Sequence, residues 1–242
     1  MSKHNIYSRV GDINLNTVEV LYKFTEWMYF EVKPFLHGNI LEIGSGMGTF
    51  SEKVIRDFHN SKIFISDADV NYVGVLKKRF NIYKDVYCMR LDATQLDDFS
   101  NIHTPINSVL ALNILEHVED DVAVLKNIYK ILCSGGTFVI LVPAHKFLYN
   151  AIDKAIGHRR RYSKRDVIEK ILQTDFKIKK IFYFNFLSIA GWYINGTIFK
   201  SGIVSKRAAS LLNLLTPVLK FIEHRIINNS IGISLVIVLK KP

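Results

Sequence analysis

The stretch Leu41-Glu42-Ile43-Gly44-Ser45-Gly46-Met47-Gly48-Thr49-Phe50 decides how this chain folds. Its first residues end an apolar run that is typical of a buried strand. The three alternating glycines allow a tight turn that a ligand can approach closely. A helix is expected to begin at about Thr49. A strand, a glycine-rich turn and a helix in this order predict a ligand site at the edge of a parallel sheet.

The rest of the chain alternates short β-rich runs with longer helical patterns, which predicts βαβ units. The expected strands are Asn39–Ile43, Lys62–Ser66, Val86–Leu91, Ser108–Leu112, Thr137–Val142, Lys177–Phe184 and Ser234–Lys240. The expected helices are 15–36, Thr49–Asn60, Asn71–Phe80, Asp120–Leu132 and Ser163–Gln173. Ser134-Gly135-Gly136 is expected to end the fourth helix in a turn, and 144–162 to form a polar, basic connection.

We therefore predict an α/β protein with a Rossmann-like, doubly wound, seven-stranded and mostly parallel sheet. N-terminal helices precede the sheet and a helical insertion precedes its last strand. The expected single domain, 1–242, has four parts, which are an N-terminal helical lid, a cofactor-binding core, a helical cap and the last strand (1–37, 38–185, 186–233 and 234–242). The cap is expected to be broken near Pro217.

Composition narrows the possible partners. The chain has 49% hydrophobic and 22% charged residues and a net charge of +10. This surplus fits an anionic partner, which could be a nucleic acid, a membrane surface or a phosphorylated or carboxylated substrate. Met1-Ser2-Lys3-His4-Asn5 has no apolar signal region, and Cys88 and Cys133 are expected to be buried thiols, so a cytoplasmic protein is predicted. No spaced His/Asp/Glu ligand set stands out, so no metal is expected.

Acidic residues follow the next two strands. Asp67 ends the second strand about 20 residues after the glycines, where a carboxylate can accept the hydroxyls of a ribose. Asp92 ends the third strand. The glycine spacing is G-x-G-x-G, and Thr49 occupies the place of the last glycine in the dinucleotide fingerprint. The pattern therefore differs from that of a nicotinamide dehydrogenase. That enzyme class is kept as an alternative function.

These residues resemble a known family. The glycine stretch resembles motif I of class I S-adenosylmethionine-dependent methyltransferases, with Glu42 at its usual acidic position. Further matches follow in order at 65–69, 91–94, 112–121 and 132–143, so the resemblance covers about residues 38–185. The pattern after the fourth strand resembles the small-molecule, type 11/12-like branch of the family, and the run from Val142 to Ser163 resembles a bacterial subgroup with similar histidine and arginine placement.

The resemblance implies a site for S-adenosylmethionine. The glycines would pass under the methionine part, Asp67 would hold the ribose, Asp92 and Ala93 would flank the adenine, and Asn113 would lie near the methyl group. The expected cofactor-binding residues are Tyr22, Glu42, Gly44, Ser45, Gly46, Gly48, Asp67, Ala68, Asp92, Ala93 and Asn113. Glu42 can offset the positive sulfonium and ammonium groups, whereas a phosphate site would need cations.

The acceptor is expected to be small and anionic. Arginine forks suit carboxylates and phosphates, and His158-Arg159-Arg160-Arg161-Tyr162 is the densest basic cluster of the chain. A solvated loop, or arginines paired with Asp153 or Glu119, is the alternative. The expected acceptor-binding residues are Trp27, His145, Tyr149, His158, Arg159, Arg160 and Tyr162. Trp27 and Tyr22 could also be buried rings or part of a lid.

Two histidines are candidate bases, because an oxygen or nitrogen nucleophile can need to lose a proton. His145 follows the fifth strand and His117 lies after the fourth. Either residue could instead support its local backbone, since positioning alone can supply much of the catalysis of methyl transfer.

The expected function is thus methyl transfer to oxygen or nitrogen of a small carboxylate, phosphate, phosphonate or lipid-linked acceptor. A non-catalytic S-adenosylmethionine-binding protein and an RNA methyltransferase are the alternatives. Asn113-Ile114-Leu115-Glu116 departs from the Asn/Asp-Pro-Pro-aromatic motif of base methylation, and no RNA-binding module is visible, so no nucleic acid is expected. Residues 205–227 could contact an anionic membrane at its inner face or form a cap or dimer contact. Both monomer and homodimer stay open.

Overall fold

The computed structural model describes residues 21–202 and 206–242. Within them the strands are β1 Ile40–Ile43, β2 Ile63–Asp67, β3 Val86–Arg90, β4 Ile106–Leu112, β5 Leu132–Pro143, β6 Lys177–Phe184 and β7 Ser234–Lys240. The α-helices are α1 Tyr22–Val32, α2 Thr49–Asp57, α3 Val70–Phe80, α4 Asp121–Ile131, α5 Ala151–Ala155, α6 Lys164–Ile171, α7 Ser188–Tyr193 and α8 Lys206–Ile222. Short 3-10 helices cover Lys33–Phe35, Leu96–Phe99 and Lys146–Leu148, and π-helical turns cover Ile194–Ile198 and Glu223–Ile227.

These strands form one sheet in the order β3-β2-β1-β4-β5-β7-β6. β1 pairs in parallel with β2 and β4, and the pairs β2–β3 and β4–β5 are also parallel. The Ala144 amide donates to the Ile233 carbonyl, and the Lys241 amide donates to the Gly136 carbonyl. The end of β5 thus lies beside the start of β7, and the start of β5 lies beside the end of β7. β7 therefore runs antiparallel to β5. The predicted Rossmann-like, mostly parallel sheet of seven strands is confirmed.

The strand order reverses between β1 and β4, which are direct neighbours with Ile43 opposite Ala111. In open α/β sheets, ligands bind beyond the carboxyl ends of the strands at such a reversal. The glycine turn follows β1, and Asn113 follows β4. The topology therefore places the two motifs side by side.

The apolar strand sequences are buried as their patterns predict. All four residues of β1 are buried, and Leu235–Leu239 of β7 are fully inaccessible. The edge strand β3 has no fully buried residue, and Tyr87 covers its side of the sheet by stacking on Phe64 at 5.0 Å. Continuous apolar runs thus occupy the inner strands, as expected for a sheet covered on both faces.

The chain divides into two compact units. The sheet unit comprises Val32–Val142, Arg165–Ile181 and Val236–Pro242. The helical unit comprises the segment that ends at Glu31, together with Pro143–Lys164 and Phe182–Leu235. The expected single domain with a lid and a cap stays a prediction.

Several predicted ends shift by a few residues. The helix predicted to reach Asn60 ends at Asp57, because the chain turns where the Ser61 amide donates to the Phe58 carbonyl. β4 begins at Ile106 rather than Ser108. Of the helix predicted over 15–36, residues 15–20 lie outside the described residues, and α1 covers Tyr22–Val32.

The turn predicted at Ser134-Gly135-Gly136 is wrong. α4 ends at Ile131, and β5 begins at once at Leu132. Ile106 pairs with Leu132 while Ser108 pairs with Thr137, so residues 133–136 stand opposite the single residue 107. The small residues are accommodated as a bulge within the strand, since the Gly135 amide still bonds to the Lys241 carbonyl at 2.9 Å.

The predicted break at Pro217 is also wrong, because α8 runs through it from Lys206 to Ile222. Proline removes one helical hydrogen bond. Its neighbours Thr216 and Leu219 are buried, and their packing outweighs the lost bond. Residues 144–162 are likewise more than a connection, since they contain a 3-10 turn and α5. Among the described helices, none is long and apolar enough to cross a membrane.

Candidate functional site

The three glycines of the turn have positive φ angles, but their surroundings differ. A Cβ atom at Gly44 would overlap the side chain of Ile114, and one at Gly48 would lie 2.5 Å from the Phe80 ring. A Cβ at Gly46, in contrast, would meet no atom of the described residues within 4 Å. The chain itself fills the space beside Gly44 and Gly48, and Gly46 is the position where the turn opens for close approach of a ligand.

The backbone amides of this turn are bonded within the sheet unit. The Ser45 amide donates to the Ser66 carbonyl at 2.9 Å, and the Gly48 amide donates to the Ser45 carbonyl at 2.8 Å. The Gly46 amide donates to Asp67 Oδ2 at 2.9 Å. A phosphate site needs such amides for its anion. Here a carboxylate already holds one of them, so the turn suits a ligand that is not a phosphate.

Glu42 is a buried acid at the end of β1. Its Oε2 accepts a hydrogen bond from Ser51 Oγ at 2.5 Å. Burial raises the pKa of Glu42 to about 7, the serine hydroxyls Ser51 and Ser45 oppose the rise, and the charge of Asp67 adds to it. A carboxylate with such a pKa gains its full charge when a cationic group comes close. Ser51 was missed in the sequence, where only its position on the buried face of α2 could have indicated it.

Asp67 joins β2 to the glycine turn. Its Oδ1 accepts from the Asp69 amide at 2.9 Å, while Oδ2 holds the Gly46 amide. Burial raises the pKa of Asp67, and these two amides oppose the rise. Ala68, next in the chain, is exposed. Two predicted cofactor residues, Asp67 and Gly46, are therefore in direct contact.

The remaining predicted cofactor residues of the sheet unit follow β3 and β4. Asp92 Oδ1 accepts from the amide and the hydroxyl of Thr94, at 2.9 and 2.7 Å. Ala93 is buried, and its carbonyl accepts from Asn127 Nδ2. Asn113 is exposed with φ 55°, and its amide donates to the Leu141 carbonyl at 2.8 Å. Asp92 is thus fixed by its own loop through one oxygen.

The two candidate bases lie in different units. His117, in the sheet unit, is exposed, and its amide donates to the Ile114 carbonyl. His145, in the helical unit, has φ 63°, and its ring stacks on Tyr183 with centroids 5.2 Å apart. Its Nε2 is buried without a hydrogen-bond partner among the described residues. Burial lowers the pKa of His145, a hydrogen bond with the Gly232 backbone opposes this decrease, and the charge of Arg161 adds to it.

The predicted basic cluster is built around Asp153 in the helical unit. Asp153 is fully buried, and its Oδ1 accepts from Arg161 Nε and bonds to His158 Nδ1, both at 2.8 Å. The Arg161 guanidinium also lies 4.7 Å from the centre of the Trp192 ring. These partners hold the pKa of Asp153 below its usual value against the effect of its burial. The alternative weighed for this cluster, an arginine paired with Asp153, is what the structure shows for Arg161.

The other residues of the cluster differ in exposure. Arg159 is exposed and Arg160 is half-buried, whereas Tyr162 is buried. The Tyr149 hydroxyl donates to the His158 carbonyl at 2.8 Å. Arg159 and Arg160 are therefore the arginines of the cluster whose side chains reach solvent.

The two predicted aromatic site residues of α1 also differ in their exposure to solvent. Trp27 is buried, packs edge-on against Phe184 at 4.7 Å, and donates from Nε1 to Glu31 Oε1 at 3.0 Å. Tyr22 is 60% exposed. The structure thus gives Trp27 a packing role and leaves Tyr22 at the surface of the helical unit.

Comparison with known proteins agrees with this geometry. Residues 41–138 match the model of a methyltransferase domain family. A malonyl-[acyl-carrier protein] O-methyltransferase of Ilyobacter polytropus is 23% identical over 159 residues, which are 61% of this chain and 58% of that protein. The chain therefore spans less than two thirds of the length of this relative.

Two solved structures share the fold. A methyltransferase of Thermotoga maritima superimposes with a TM-score of 0.65 at 16% identity, over 98% of this chain and 99% of the other. The phosphoethanolamine N-methyltransferase 2 of Haemonchus contortus, in complex with S-adenosylmethionine, gives 0.59 at 16% identity over 90% and 52%. The family match over residues 41–138, the sheet order and the glycine turn together support a class I S-adenosylmethionine-dependent methyltransferase.

Proposed function

We propose that this chain transfers the methyl group of S-adenosylmethionine to an oxygen or nitrogen of a small anionic or lipid-linked acceptor. The observation that carries the proposal is the opening at Gly46, beside which lie two acids whose pKa values burial raises, Glu42 and Asp67. The cofactor, when bound, supplies a methyl group activated by a positive sulfonium. Acids beside an open backbone turn suit such a cation, whereas a phosphate would be repelled by them.

The residues of the sheet unit would bind this cofactor in distinct ways. Gly46 would leave room for the methionine part, and Glu42 would balance positive charge. Asp67 would accept the ribose hydroxyls while its Gly46 contact keeps the turn in place. Asp92 would offer the adenine amino group its Oδ2, since Oδ1 is held by Thr94. Asn113 would line the path of the methyl group.

The helical unit would bind the acceptor. Arg159 and Arg160 are cationic side chains that reach solvent, and guanidinium groups suit carboxylates, phosphates and phosphonates. The malonyl group named for the Ilyobacter relative is itself a carboxylate, which supports an anionic acceptor. Tyr149 and His158 would shape the surroundings of these arginines, because both belong to the network around Asp153.

His145 would take the proton that the acceptor loses. A lowered pKa keeps its imidazole neutral near pH 7, and a neutral imidazole can accept a proton at a bare nitrogen. Its Nε2 has no partner among the described residues. His117 is the second candidate.

The proposal is tested by calorimetric titration of the purified chain with S-adenosylhomocysteine, followed by turnover trials with carboxylate and phosphate acceptors. Asp67→Asn should weaken binding at least tenfold, because charge-assisted hydrogen bonds to hydroxyls contribute about 1.5–3 kcal/mol. Asp69→Asn is the matched control, since Asp69 is exposed and caps α3 through the Asn71 amide, a role that asparagine can fill.

Two results would contradict the proposal. Binding of NADH without binding of S-adenosylhomocysteine would identify a dehydrogenase. Tight cofactor binding without turnover on any acceptor would favour a non-catalytic binding protein.

A further inference from the structure

α8 has two opposite faces. Its buried residues are Ala209, Thr216 and Leu219, and Glu223 continues this line beyond the helix end. The opposite face carries exposed apolar side chains at helical spacing, namely Leu211, Leu214, Leu215, Val218 and Phe221. Leu214 is 66% exposed and Phe221 62%. We call these five residues the apolar face of α8.

Basic residues border this face at both ends. Arg207 lies four residues before Leu211, and Arg225 lies four residues after Phe221; both are exposed. Residues three or four apart share one side of a helix. Between Lys206 and Ile227 the sequence has one acid, Glu223, which is buried and accepts hydrogen bonds from the Asn185 and Phe186 amides. The exposed charges of this segment are therefore all positive.

We propose that the apolar face of α8 lies on an anionic lipid surface, with Arg207 and Arg225 at the phosphate level. Interfacial helices combine an apolar side that enters the acyl boundary with basic residues that bind acidic headgroups. Monomeric proteins seldom expose several large apolar side chains side by side on one element. This inference does not depend on the proposed methyl transfer.

The charge pattern favours lipid over a second copy of the chain. A twofold contact sets the same patch of two subunits against itself. An antiparallel pair of α8 helices would bring Arg207 towards Arg225 of the other copy. The segment offers no exposed acid to balance these charges. Anionic headgroups would neutralise them.

The test is flotation of the full chain with vesicles of phosphatidylcholine alone and with roughly one part in three of phosphatidylglycerol. The protein should float with the anionic vesicles, and added salt should release it, since salt screens the arginines. Leu214→Gln with Val218→Gln should lower binding at least about tenfold, because two side chains that would enter the acyl region become polar. Arg207→Gln with Arg225→Gln should lower binding to the anionic vesicles by about tenfold or more, so that the preference over phosphatidylcholine is lost.

The control is Ile82→Gln with Leu172→Gln, which changes two side chains that are 79% and 75% exposed in the sheet unit. It should float like the unchanged chain. Failure of the unchanged chain to float at low salt would overturn the proposal, as would an equal loss in the control. Sedimentation that shows a dimer which Leu214→Gln with Val218→Gln dissociates, without any vesicle binding, would assign the face to a second copy.

Discussion

Gly46 and Asp67, which are 21 residues apart in the chain, are joined by a hydrogen bond of 2.9 Å from the Gly46 amide to Asp67 Oδ2. The bond connects the turn after β1 to the end of β2. The other carboxylate oxygen caps the start of the next loop at the Asp69 amide. One side chain thus fixes both loops at neighbouring strand ends, and the position of Gly46 depends on it.

Gly46→Ala should separate ligand binding from folding. The added methyl meets no atom of residues 21–202 and 206–242 within 4 Å, but φ 53° is a strained conformation for alanine and costs about 1–2 kcal/mol. We expect a melting temperature lower by about 2–8 °C and a loss of S-adenosylhomocysteine affinity of at least tenfold. Gly74→Ala is the control, since Gly74 lies in α3 with equally open surroundings and a φ that alanine adopts freely. Retention of full affinity by Gly46→Ala would remove the glycine turn from the cofactor site.

Cofactor affinity should rise with pH through Glu42. Its pKa in the free protein is about 7, so the carboxyl group ionises between about pH 6 and 8 and then attracts a cation. We expect affinity for S-adenosylmethionine to increase by roughly tenfold over this range, with proton release on binding near pH 7. Glu42→Gln should give a flat profile. Titration calorimetry in buffers of different ionisation enthalpy measures both quantities, and an equal slope in the variant would assign it to another group.

The same carboxyl group should make the ligand-free protein less stable as the pH rises, although it increases the affinity for the cofactor. Its pKa is raised from 4.5 to about 7 by folding, so the unfolded state loses its proton first as the pH rises. Glu42 therefore lowers the free energy of unfolding between about pH 4.5 and 7, by roughly 3 kcal/mol if it acts alone.

The inner strands were predictable because they are local apolar runs, and β6 and β7 have the predicted ends. The glycine turn and Asp67 were also predictable, since a parallel sheet brings successive strand ends together. The bulge in β5 was not predictable, because the sequence Gly135-Gly136 suits a turn and a bulge equally well. The pairing with Lys241 decides between them, and local sequence signals do not show such a long-range contact.

The helical unit was the least predictable part. Three successive arginines look alike in sequence, yet Arg161 is buried while Arg159 is exposed. That difference depends on Asp153, whose place beside Arg161 follows from the fold of the whole segment. The continuity of α8 through Pro217 was unpredictable for the same reason, because it depends on packing against residues that are distant in the sequence.

The Asp153 network should support the stability of the helical unit. Asp153→Ala leaves the guanidinium of Arg161 buried without its carboxylate, and breaking such a pair costs about 3–5 kcal/mol. Denaturant unfolding should show this loss. Glu169→Gln is the control, because it breaks an exposed pair with Arg165 and should leave stability unchanged. Similar unfolding curves for the two variants would mean that Asp153 has little structural weight.

Arg159→Gln and Arg160→Gln should affect the acceptor alone. If these arginines bind its anionic group, each change should raise the KM for a carboxylate or phosphate acceptor about tenfold or more, since charge-assisted pairs contribute about 1.5–3 kcal/mol. Affinity for S-adenosylhomocysteine should not change. Lys164→Gln, an exposed cation just beyond the cluster, is the control. Unchanged KM values would mean that both arginines are solvated surface residues that do not bind the acceptor.

His145→Asn is the decisive test of the base. Asparagine tolerates the φ of 63° found at His145, so the change removes the imidazole while keeping the backbone conformation accessible. General base catalysis contributes about 10²–10⁴-fold, so kcat should fall within that range while cofactor affinity is retained. Because the pKa of His145 is lowered, the acid limb of the unchanged enzyme should lie below pH 6.5 and vanish in the variant. His117→Asn should keep both the rate and the limb. Loss of activity only in the His117 variant would transfer the role to that residue, and near-normal turnover in both would mean that positioning suffices.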